Sequence, residues 1–250
     1  MNISFQPDYR LEARELKRFL KKNNLTQDVN YIIGGDGALL IYASKTQPNL
    51  LISPLSSVGY YAFTRLGNHH EDIIKYLNNP NKFNVNYPTI ESKINGARLD
   101  DFAINDLLIT EGLQYLSKTS ITIKGAESFE SNSGILVYTH DGWSGFAKNL
   151  NANNYGLNEL GLASIAPSKG ELSKNKSLDL TDELSIKLLP RNRKTKFVMY
   201  LDCKDVKPYK HFCTTRKKVN IKPYKLKQND EITIRKGSPI IIATIKENIY

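Results

Sequence analysis

Cysteine is scarce in this sequence of 250 residues, which contains only Cys203 and Cys213. Two cysteines fit a reducing cytoplasm, and they lack the closely spaced further ligands that a structural zinc site needs. We therefore expect two free thiols in a cytoplasmic protein. Hydrophobic residues make up 40% of the chain, which is enough to build a real core.

Long apolar runs are absent as well. The apolar run at residues 239–245 has the length of a strand, whereas a membrane-spanning helix needs about 20 apolar residues. Residues 1–8 have neither the basic start nor the long apolar segment of a signal peptide. We therefore expect no membrane partner. The sequence indicates neither a zinc site nor a catalytic triad. No suitable metal ligands or catalytic partners accompany the four histidines, His69, His70, His140 and His211.

The formal net charge of +10 is unevenly distributed along the chain. Residues 191–250 carry sixteen Lys or Arg and five Asp or Glu, whereas residues 1–190 are nearly neutral. A basic C-terminal third indicates an anionic partner, such as a nucleic acid, a membrane surface or a phosphorylated small molecule. Its lysines are interleaved with apolar residues, as at residues 217–222, which is typical of the solvated face of a strand. No nucleic-acid-binding motif accompanies the charge, so nucleic acid is the less favoured partner.

The segment at residues 31–40 organises the chain, because an apolar run, three glycines around Asp36 and a second apolar run follow one another. This order predicts a buried strand, a tight turn and a helix. Glycines let the backbone approach a ligand, and the amides at a helix start attract phosphate. A carboxylate repels phosphate, so Asp36 makes chemical sense if it binds or deprotonates a hydroxyl beside the phosphate. The alternative is that Asp36 is only the N-cap of the helix.

Strands and helices alternate along the first part of the chain. The predicted elements are strand 3–5, a helix capped by Asp8 that carries Leu11, Leu16, Phe19 and Leu20 on one side and ends at Asn23 and Asn24, strand 29–33, helix 38–44, strand 50–53 and helix 71–77. This order predicts a parallel sheet whose ligand site lies at the carboxyl ends of its strands. Tyr60 and Tyr61 follow the third strand and are expected near that site, although paired tyrosines more often serve packing.

Beyond about residue 86 the pattern changes to short β-rich runs separated by polar turns. These runs are residues 89–94, 107–110, 120–123, 135–139, 184–189, 197–201, 219–221, 231–235 and 240–245. They predict an antiparallel sandwich, and the Asn- and Lys-rich residues 169–179 predict a mobile loop. The predicted fold class is therefore α/β + β. An α/β domain with a parallel sheet spans residues 1–86 and a β-sandwich domain spans residues 87–250, whose last residues can pack back on the first domain.

Three further segments hold polar side chains next to apolar runs. Asn105 and Asp106 stand side by side between two such runs, where an amide and an acid can hold sugar hydroxyls or simply form a turn. Residues 134–146 predict a strand, a glycine turn and a helix start that includes the only tryptophan, Trp143. Asp202 ends a predicted strand near the basic third. The order of these segments along the chain is more informative than any one of them.

That order resembles the NAD kinase family, whose members phosphorylate the adenosine ribose of NAD. The family's Gly-Gly-Asp-Gly signature matches residues 34–37, its Leu-Gly-Phe-type segment matches residues 58–61, and its Ala-Leu-Asn-Glu/Asp motif matches residues 103–106. Its glycine-rich nucleotide loop lines up with residues 134–146, and residues 231–236 resemble its closing strands. Diacylglycerol and sphingosine kinases share the first motif alone, whereas the ordered set is much more specific and covers most of the chain.

The resemblance implies an N-terminal α/β domain, a β-sandwich domain that binds NAD, and a set of site residues. Asp36 would be the base, or the orienting group, for the ribose 2′-hydroxyl. Gly34, Gly35 and Gly37 would cradle the donor's phosphates, with Mg²⁺ arriving on ATP and no metal site of the protein's own. The implied NAD-binding residues are Tyr60 and Tyr61 at the dinucleotide pocket, Asn105 and Asp106 at adenosine, Ser144, Gly145 and Phe146 around the bases, and Asp141 in place of a missing acid.

The sequence also departs from the family pattern. The Thr that follows the signature is Ala38, and the acidic residue before the nucleotide loop is Ser133. Within the loop, His140 replaces a proline and Trp143 replaces a small hydroxyl residue, while the family's late Asp-Gly pair becomes Asp202 followed by cysteine. The proposed base is retained, so these changes bear on nucleotide specificity rather than on the chemistry.

We therefore expect a kinase that uses ATP or polyphosphate and Mg²⁺ to convert NAD to NADP. The family usually forms dimers or tetramers, so a homo-oligomer is also expected. One alternative is a kinase of the same superfamily for a lipid or nucleoside acceptor. Another is a nucleotide-binding relative without activity, or a binder of nucleic acid that uses the basic third.

Overall fold

The computed structural model describes residues 2–25, 27–54, 60–112, 115–157, 159–170, 172, 176–179, 181–190, 196–202, 213–214 and 223–245. The predicted strand at residues 219–221, Cys203, His211, Val58 and Gly59 lie outside these residues. The chain divides into two compact units. The first comprises Met1–Tyr87, Val206–Ile221 and Pro239–Tyr250, and the second comprises Pro88–Asp205 and Lys222–Ser238.

The secondary structure follows in chain order. The strands are β1 (Asn2–Phe5), β2 (Asn30–Ile33), β3 (Asn49–Ser53), β4 (Thr64–Arg65), β5 (Asn84–Ile94), β6 (Ala97–Ala103), β7 (Asp106–Thr110), β8 (Ser117–Ile123), β9 (Ala126–Asn132), β10 (Gly134–Tyr138), β11 (Glu159–Ile165), β12 (Lys176–Asp179), β13 (Leu184–Leu188), β14 (Phe197–Leu201), β15 (Cys213–Thr214), β16 (Tyr224–Leu226) and β17 (Glu231–Ala243). The helices are α1 (Arg10–Lys22), α2 (Asp36–Tyr42), α3 (His69–Asn78) and α4 (Phe146–Asn149), with 3₁₀ turns at Pro7–Tyr9, Pro80–Lys82 and Asp141–Ser144. Within the described residues, none of the helices has the length and apolar character needed to cross a membrane.

The first unit is built on parallel strands. β1, β2 and β3 pair in parallel, so that Phe5 lies beside Ile33 and Ile33 lies beside Ile52. β4 and the end of β17 pair in parallel with β3, and β15 pairs antiparallel with β1. β2 and β3 are buried along their whole length, as expected for a parallel sheet that is covered on both faces. The carboxyl ends of β1, β2 and β3 therefore lie side by side.

Helix α1 buries Ala13, Leu16 and Leu20, whose spacing of three and four residues forms one apolar stripe. Two predictions about this helix were wrong. Leu11, predicted on the buried side, is 68% exposed. Asp8 does not cap the helix, because a 3₁₀ turn that starts at Pro7 comes first and the α-helix begins only at Arg10. The fixed φ of proline suits the first position of such a turn.

The second unit is an antiparallel sandwich. One sheet has the order β6–β5–β17–β13–β8–β9, and the other has the order β12–β11–β10–β7–β14–β16. Both sheets contribute to one buried core, in which Ile121 and Ile186 of the first sheet join Ile109, Val137 and Met199 of the second. The predicted fold class, a parallel α/β unit followed by a β-sandwich unit, is confirmed.

Two predictions about individual strands were wrong. The runs at residues 231–235 and 240–245 form one strand, β17. The strand continues through Gly237 because glycine, which has no side chain, leaves room there for β5. A Cβ there would lie 2.3 Å from Thr89 Oγ1 of β5, and the same hydroxyl donates to the Ser238 carbonyl at 2.8 Å. Residues 176–179, predicted as part of a mobile loop, form β12, the edge strand that pairs with β11. Edge strands tolerate polar sequences.

Two adjacent histidines lie at the start of α3, of which His69 is buried and His70 half-buried. His69 is 8% exposed, and its ring centre lies 4.2 Å from that of His70. His70 in turn stacks on Phe19 of α1 at 3.9 Å. Burial, together with the neighbouring His70, lowers the pKa of His69 from 6.5 to about 4, against an opposing effect of Asp72.

We expect the free energy of unfolding to decrease as the pH is lowered from 6.5 to about 4. The unfolded chain takes up a proton at His69 in this range and the folded chain does not, which costs up to about 3 kcal/mol. Urea unfolding followed by circular dichroism at a series of pH values measures this loss. In His69→Asn, the amide oxygen can replace Nδ1 as acceptor of the Gly67 N–H, so folding is retained and this part of the pH dependence is lost. His140→Asn in the second unit is the control, and identical pH profiles for wild type and His69→Asn would contradict the prediction.

Candidate functional site

The glycine turn follows β2 at the carboxyl edge of the parallel strands. The Gly34 N–H donates to the Ile52 carbonyl of β3 at 3.0 Å, and Gly34 has a φ of +154°. A Cβ at this position would lie 2.8 Å from Ala38 Cβ and 2.9 Å from the Gln6 side chain. Only glycine fits here, because both the backbone angle and the close packing exclude a side chain.

The other two glycines of the signature lie at the start of α2. Gly35 is the N-cap residue, and nothing lies within 4 Å of the position that its Cβ would take. Gly37 is the second residue of the helix. The backbone at Gly35 is therefore open to approach from outside, whereas that at Gly34 is closely packed.

The carboxylate of Asp36 is held by two backbone amides. Its Oδ2 accepts the Tyr60 N–H at 2.7 Å, and its Oδ1 accepts the Tyr61 N–H at 3.1 Å. The side chain is half-buried. The alternative that Asp36 is the N-cap does not hold, because Gly35 occupies that position and Asp36 is the first residue of α2. The two hydrogen bonds hold the segment that begins at Tyr60 next to the start of α2. They also fix the orientation of the Asp36 carboxylate.

The two tyrosines are not equivalent. Tyr61 is 3% exposed, and its ring packs edge-on against those of Tyr60 at 4.9 Å and Tyr87 at 5.5 Å. Tyr60 is half-buried. The structure thus brings together all the site residues that were predicted in the first unit, which are Gly34, Gly35, Asp36, Gly37, Tyr60 and Tyr61. Tyr61 contributes its backbone amide to the site, while its side chain belongs to the core.

In the second unit, the turn at Asn105 is built around the carboxylate of Asp202. This carboxylate accepts the N–H groups of Ile104 at 2.9 Å, Asn105 at 2.6 Å and Asp106 at 3.2 Å. The Asp202 N–H donates to the Asp106 carbonyl at 2.7 Å. Asp202 is 7% exposed and has a φ of +54°, a conformation that Asp adopts more readily than most residues. Three consecutive amides on one buried carboxylate fix the backbone from which the Asn105 side chain extends.

The loop after β10 is fastened to the same turn. The Thr139 N–H donates to the Asn105 carbonyl at 2.9 Å, and Thr139 Oγ1 donates to the Ile104 carbonyl at 2.8 Å. Gly142 lies directly on the Asn105 backbone, because a Cβ at Gly142 would be only 2.0 Å from the Asn105 carbonyl oxygen. Asn105 and Asp106 are therefore brought together with the loop that carries Asp141, Ser144, Gly145 and Phe146.

Within this loop the predicted residues differ in exposure. Asp141 is buried, Phe146 is half-buried, and Ser144 and Gly145 are exposed. Ser144 Oγ donates to the Asp141 carbonyl at 3.0 Å, which closes the 3₁₀ turn. Of the predicted group, Ser144 and Gly145 are thus the most accessible to a ligand.

Three of the residues that depart from the family pattern, Trp143, His140 and Ser133, are held within the second unit. Trp143 Nε1 donates to the Ala152 carbonyl at 2.7 Å, and its ring lies 5.6 Å from the Lys148 ammonium. His140 Nδ1 lies 2.6 Å from the Tyr155 carbonyl, which can only accept, so Nδ1 carries the proton. The Ser133 N–H donates to the Ile165 carbonyl at 2.8 Å. These contacts anchor the loop after β10 and the start of β10 to the sandwich.

Sequence reasoning singled out Asp202 but gave it no site role, and it gave none to Thr139, although both residues shape the turn at Asn105. Their partners lie far away along the chain, since Asp202 binds amides 96 to 98 positions before it and Thr139 Oγ1 binds a carbonyl 35 positions before it. The signals in the sequence were that Asp202 ends a strand and that it lines up with the late Asp-Gly pair of the family resemblance. Among the described residues, no three His, Cys, Asp or Glu side chains form a group that could hold a metal ion.

The sequence matches no protein-family model and no curated protein. Its fold is nevertheless similar to solved structures. Yeast NADH kinase complexed with NADH superposes with a TM-score of 0.71 and 15% identity, over 89% of this chain and 64% of that one. An NAD kinase from Archaeoglobus fulgidus in complex with ATP superposes with a TM-score of 0.68 and 16% identity, over 97% of this chain and 92% of that one.

These likenesses establish the fold. The resemblance inferred from the ordered motifs is confirmed at that level, since both structures are described as NAD or NADH kinases. The chain spans less than two thirds of the length of the yeast enzyme but nearly all of the archaeal one.

Proposed function

We propose that this chain is a phosphotransferase of the NAD kinase type, which transfers the γ-phosphoryl group of ATP to the 2′-hydroxyl of the adenosine ribose of NAD. The observation that carries the proposal is the Asp36 carboxylate, which two backbone amides hold in one orientation at the carboxyl end of β2. The proposal is supported by the fold shared with a kinase complexed with NADH and a kinase complexed with ATP.

The proposed transfer depends on positioning and on a proton acceptor. The ribose O2′ attacks the γ-phosphorus, the bond from that phosphorus to the β,γ-bridging oxygen breaks, ADP leaves, and the hydroxyl proton passes to Asp36. A carboxylate offers about four acceptor sites, and the Tyr60 and Tyr61 amides occupy two of those of Asp36. The Asp36 carboxylate can therefore accept the hydroxyl proton while it keeps its hydrogen bonds from both backbone amides. Mg²⁺ enters as part of the ATP substrate and neutralises phosphate charge.

The remaining site residues have binding roles in the proposal. Gly34, Gly35 and Gly37 keep side chains away from the backbone that meets the donor's phosphates. Asn105 and Asp106 hold the adenosine, on a turn whose backbone Asp202 fixes. Asp141, Ser144, Gly145 and Phe146 surround the bases of NAD. The half-buried Tyr60 contacts the dinucleotide next to Asp36, whereas Tyr61 acts through the amide that holds Asp36, and its buried ring packs against that of Tyr60.

The test is NADP or NADPH formation by the purified protein. NAD and NADH are each supplied with Mg²⁺ and either ATP or polyphosphate, and the product is detected with an NADP-specific dehydrogenase. Formation of NADP with at least one donor is expected. Folded protein that forms none with either donor would overturn the proposal. Light scattering after size-exclusion chromatography tests the homo-oligomer that the resemblance also implies.

A second candidate is a kinase of the same superfamily that phosphorylates a different acceptor, such as a nucleoside or a lipid. The observation in its favour is Trp143, whose indole is fixed by the Ala152 carbonyl at a loop position where the family has a small hydroxyl residue. A bulky ring there changes the surface offered to a base and leaves Asp36 unaffected. Radiolabel transfer from ATP to adenosine or diacylglycerol, without NADP formation, would favour this candidate.

A further inference from the structure

Four buried polar side chains lie together at one end of the β8–β9 hairpin and take no part in the site described above. They are Ser117, Thr119, Glu130 and Asn132, each at most 3% exposed. No described residue provides a hydrogen-bond partner for Ser117 Oγ, Thr119 Oγ1, Glu130 Oε2, Asn132 Oδ1 or Asn132 Nδ2. Buried polar atoms in proteins are nearly always paired, so this cluster calls for a partner that the described residues do not supply.

Strand register places the four side chains around one patch. Ser117 pairs with Asn132 and Thr119 pairs with Glu130, and directly opposed residues point to the same face. Thr119 also pairs with Leu188, a residue of the sandwich core, so this face is the inner one. Opposed Cβ atoms are about 5 Å apart and alternate residues of a strand are about 7 Å apart. A ligand at the centre therefore lies about 4 Å from each Cβ, within reach of all four side chains.

Residues 168–170 and Leu172 pack against this patch. The Ser168 N–H donates to the Ser131 carbonyl at 2.8 Å, and the Leu172 N–H donates to Glu130 Oε1 at 3.0 Å. A Cβ at Gly170 would lie 2.1 Å from Glu130 Oε2, so the backbone of this segment lies directly on the carboxylate. The segment thus shields the cluster from solvent and fixes one oxygen of Glu130.

We propose that the cluster binds one hard monovalent cation, Na⁺ or K⁺. Its donors are a carboxylate oxygen, an amide oxygen and two hydroxyl oxygens, which suit hard cations, and it offers no nitrogen or sulfur ligand. Among the described residues, no cationic side chain pairs with Glu130. A buried carboxylate without a counter-charge is costly. One monovalent cation neutralises it, whereas a divalent ion would leave an unbalanced positive charge. The Asn132 amide can turn Oδ1 to the cation and donate from Nδ2 to a neighbouring hydroxyl oxygen.

Thermal unfolding of the full chain in different chloride salts at equal ionic strength tests this site. The melting temperature is expected to be roughly 3 to 6 °C higher in NaCl or KCl than in N-methylglucamine chloride, whose cation is too large for the cluster. Glu130→Gln should abolish this difference. Glu127→Gln is the matched control, because Glu127 lies on the same strand but is exposed on the opposite face.

A crystal grown with Rb⁺ or Tl⁺ in place of K⁺ gives a direct readout, with an anomalous peak expected among the four side chains. Equal melting temperatures of the wild type in all three salts, together with no anomalous peak, would overturn the proposal in favour of a water-filled cluster. A salt difference that persists in Glu130→Gln would also overturn it. The wild-type experiments decide the question even if Glu130→Gln does not fold. The inference is independent of the proposed kinase activity.

Discussion

Replacing Asp36 with asparagine is expected to lower the rate of NADP formation by about 10²-fold or more, because the amide cannot accept the proton of the ribose hydroxyl. Initial rates with saturating NAD and ATP measure the effect on kcat. Asp28→Asn is the matched control, since Asp28 is exposed and precedes the opposite end of β2. It undergoes the same chemical change and should retain wild-type activity.

The hydrogen bonds of Asp36 make a second effect of this variant predictable. Asparagine has one oxygen acceptor where aspartate has two, so its NH₂ group would face the N–H of Tyr60 or Tyr61. The segment that begins at Tyr60 should then be less well held. For this reason NAD affinity must be measured separately from kcat, for example by calorimetry.

The two measurements separate a catalytic role of Asp36 from a structural one. A large loss of kcat with unchanged NAD affinity supports a proton acceptor or an orienting group for the hydroxyl. A loss of affinity with nearly unchanged kcat would mean that Asp36 acts by holding the tyrosine segment. An unchanged rate would contradict the role of Asp36 in the transfer altogether.

The part of the site that the sequence predicted is the part encoded by neighbouring residues. An apolar run that ends in Gly34 predicted the end of β2, and the structure shows that the backbone angle and the packing there require glycine. The amide partners of Asp36 could not be predicted, because Tyr60 and Tyr61 lie 24 and 25 positions further on. The sequence placed them near the site as side chains, whereas the structure engages their backbone.

The errors in the predicted strands have a common physical cause, because local sequence does not show what packs against a strand. The runs at residues 231–235 and 240–245 were predicted as separate strands, yet β17 continues through Gly237, since Thr89 of β5 occupies the space of the missing side chain and binds the backbone. Polar sequence at residues 176–179 predicted a loop, yet an edge position allows a strand there. The predicted start of a helix was also wrong, because α2 begins at Asp36 and not at residue 38.

The largest effect expected in the second unit is that of Asp202→Asn. The variant keeps a side chain that tolerates the φ of +54°, so it isolates the loss of the carboxylate. One oxygen then remains to serve the N–H groups of Ile104, Asn105 and Asp106, and the new NH₂ group faces other donors. We expect the melting temperature to fall by roughly 4 to 10 °C, because hydrogen bonds to a charged group are lost in a buried place.

The same variant tests whether the turn at Asn105 binds the nucleotide. If Asn105 holds adenosine, loosening its backbone should raise the KM for NAD by about tenfold or more, at a temperature where the variant is folded, with a smaller effect on kcat. Asp100→Asn is the matched control, because Asp100 is exposed on β6 shortly before the turn. A lower melting temperature with an unchanged KM would show that Asp202 serves only the fold. That outcome would remove Asn105 from the binding site and leave the proposed activity resting on Asp36 and the residues around it.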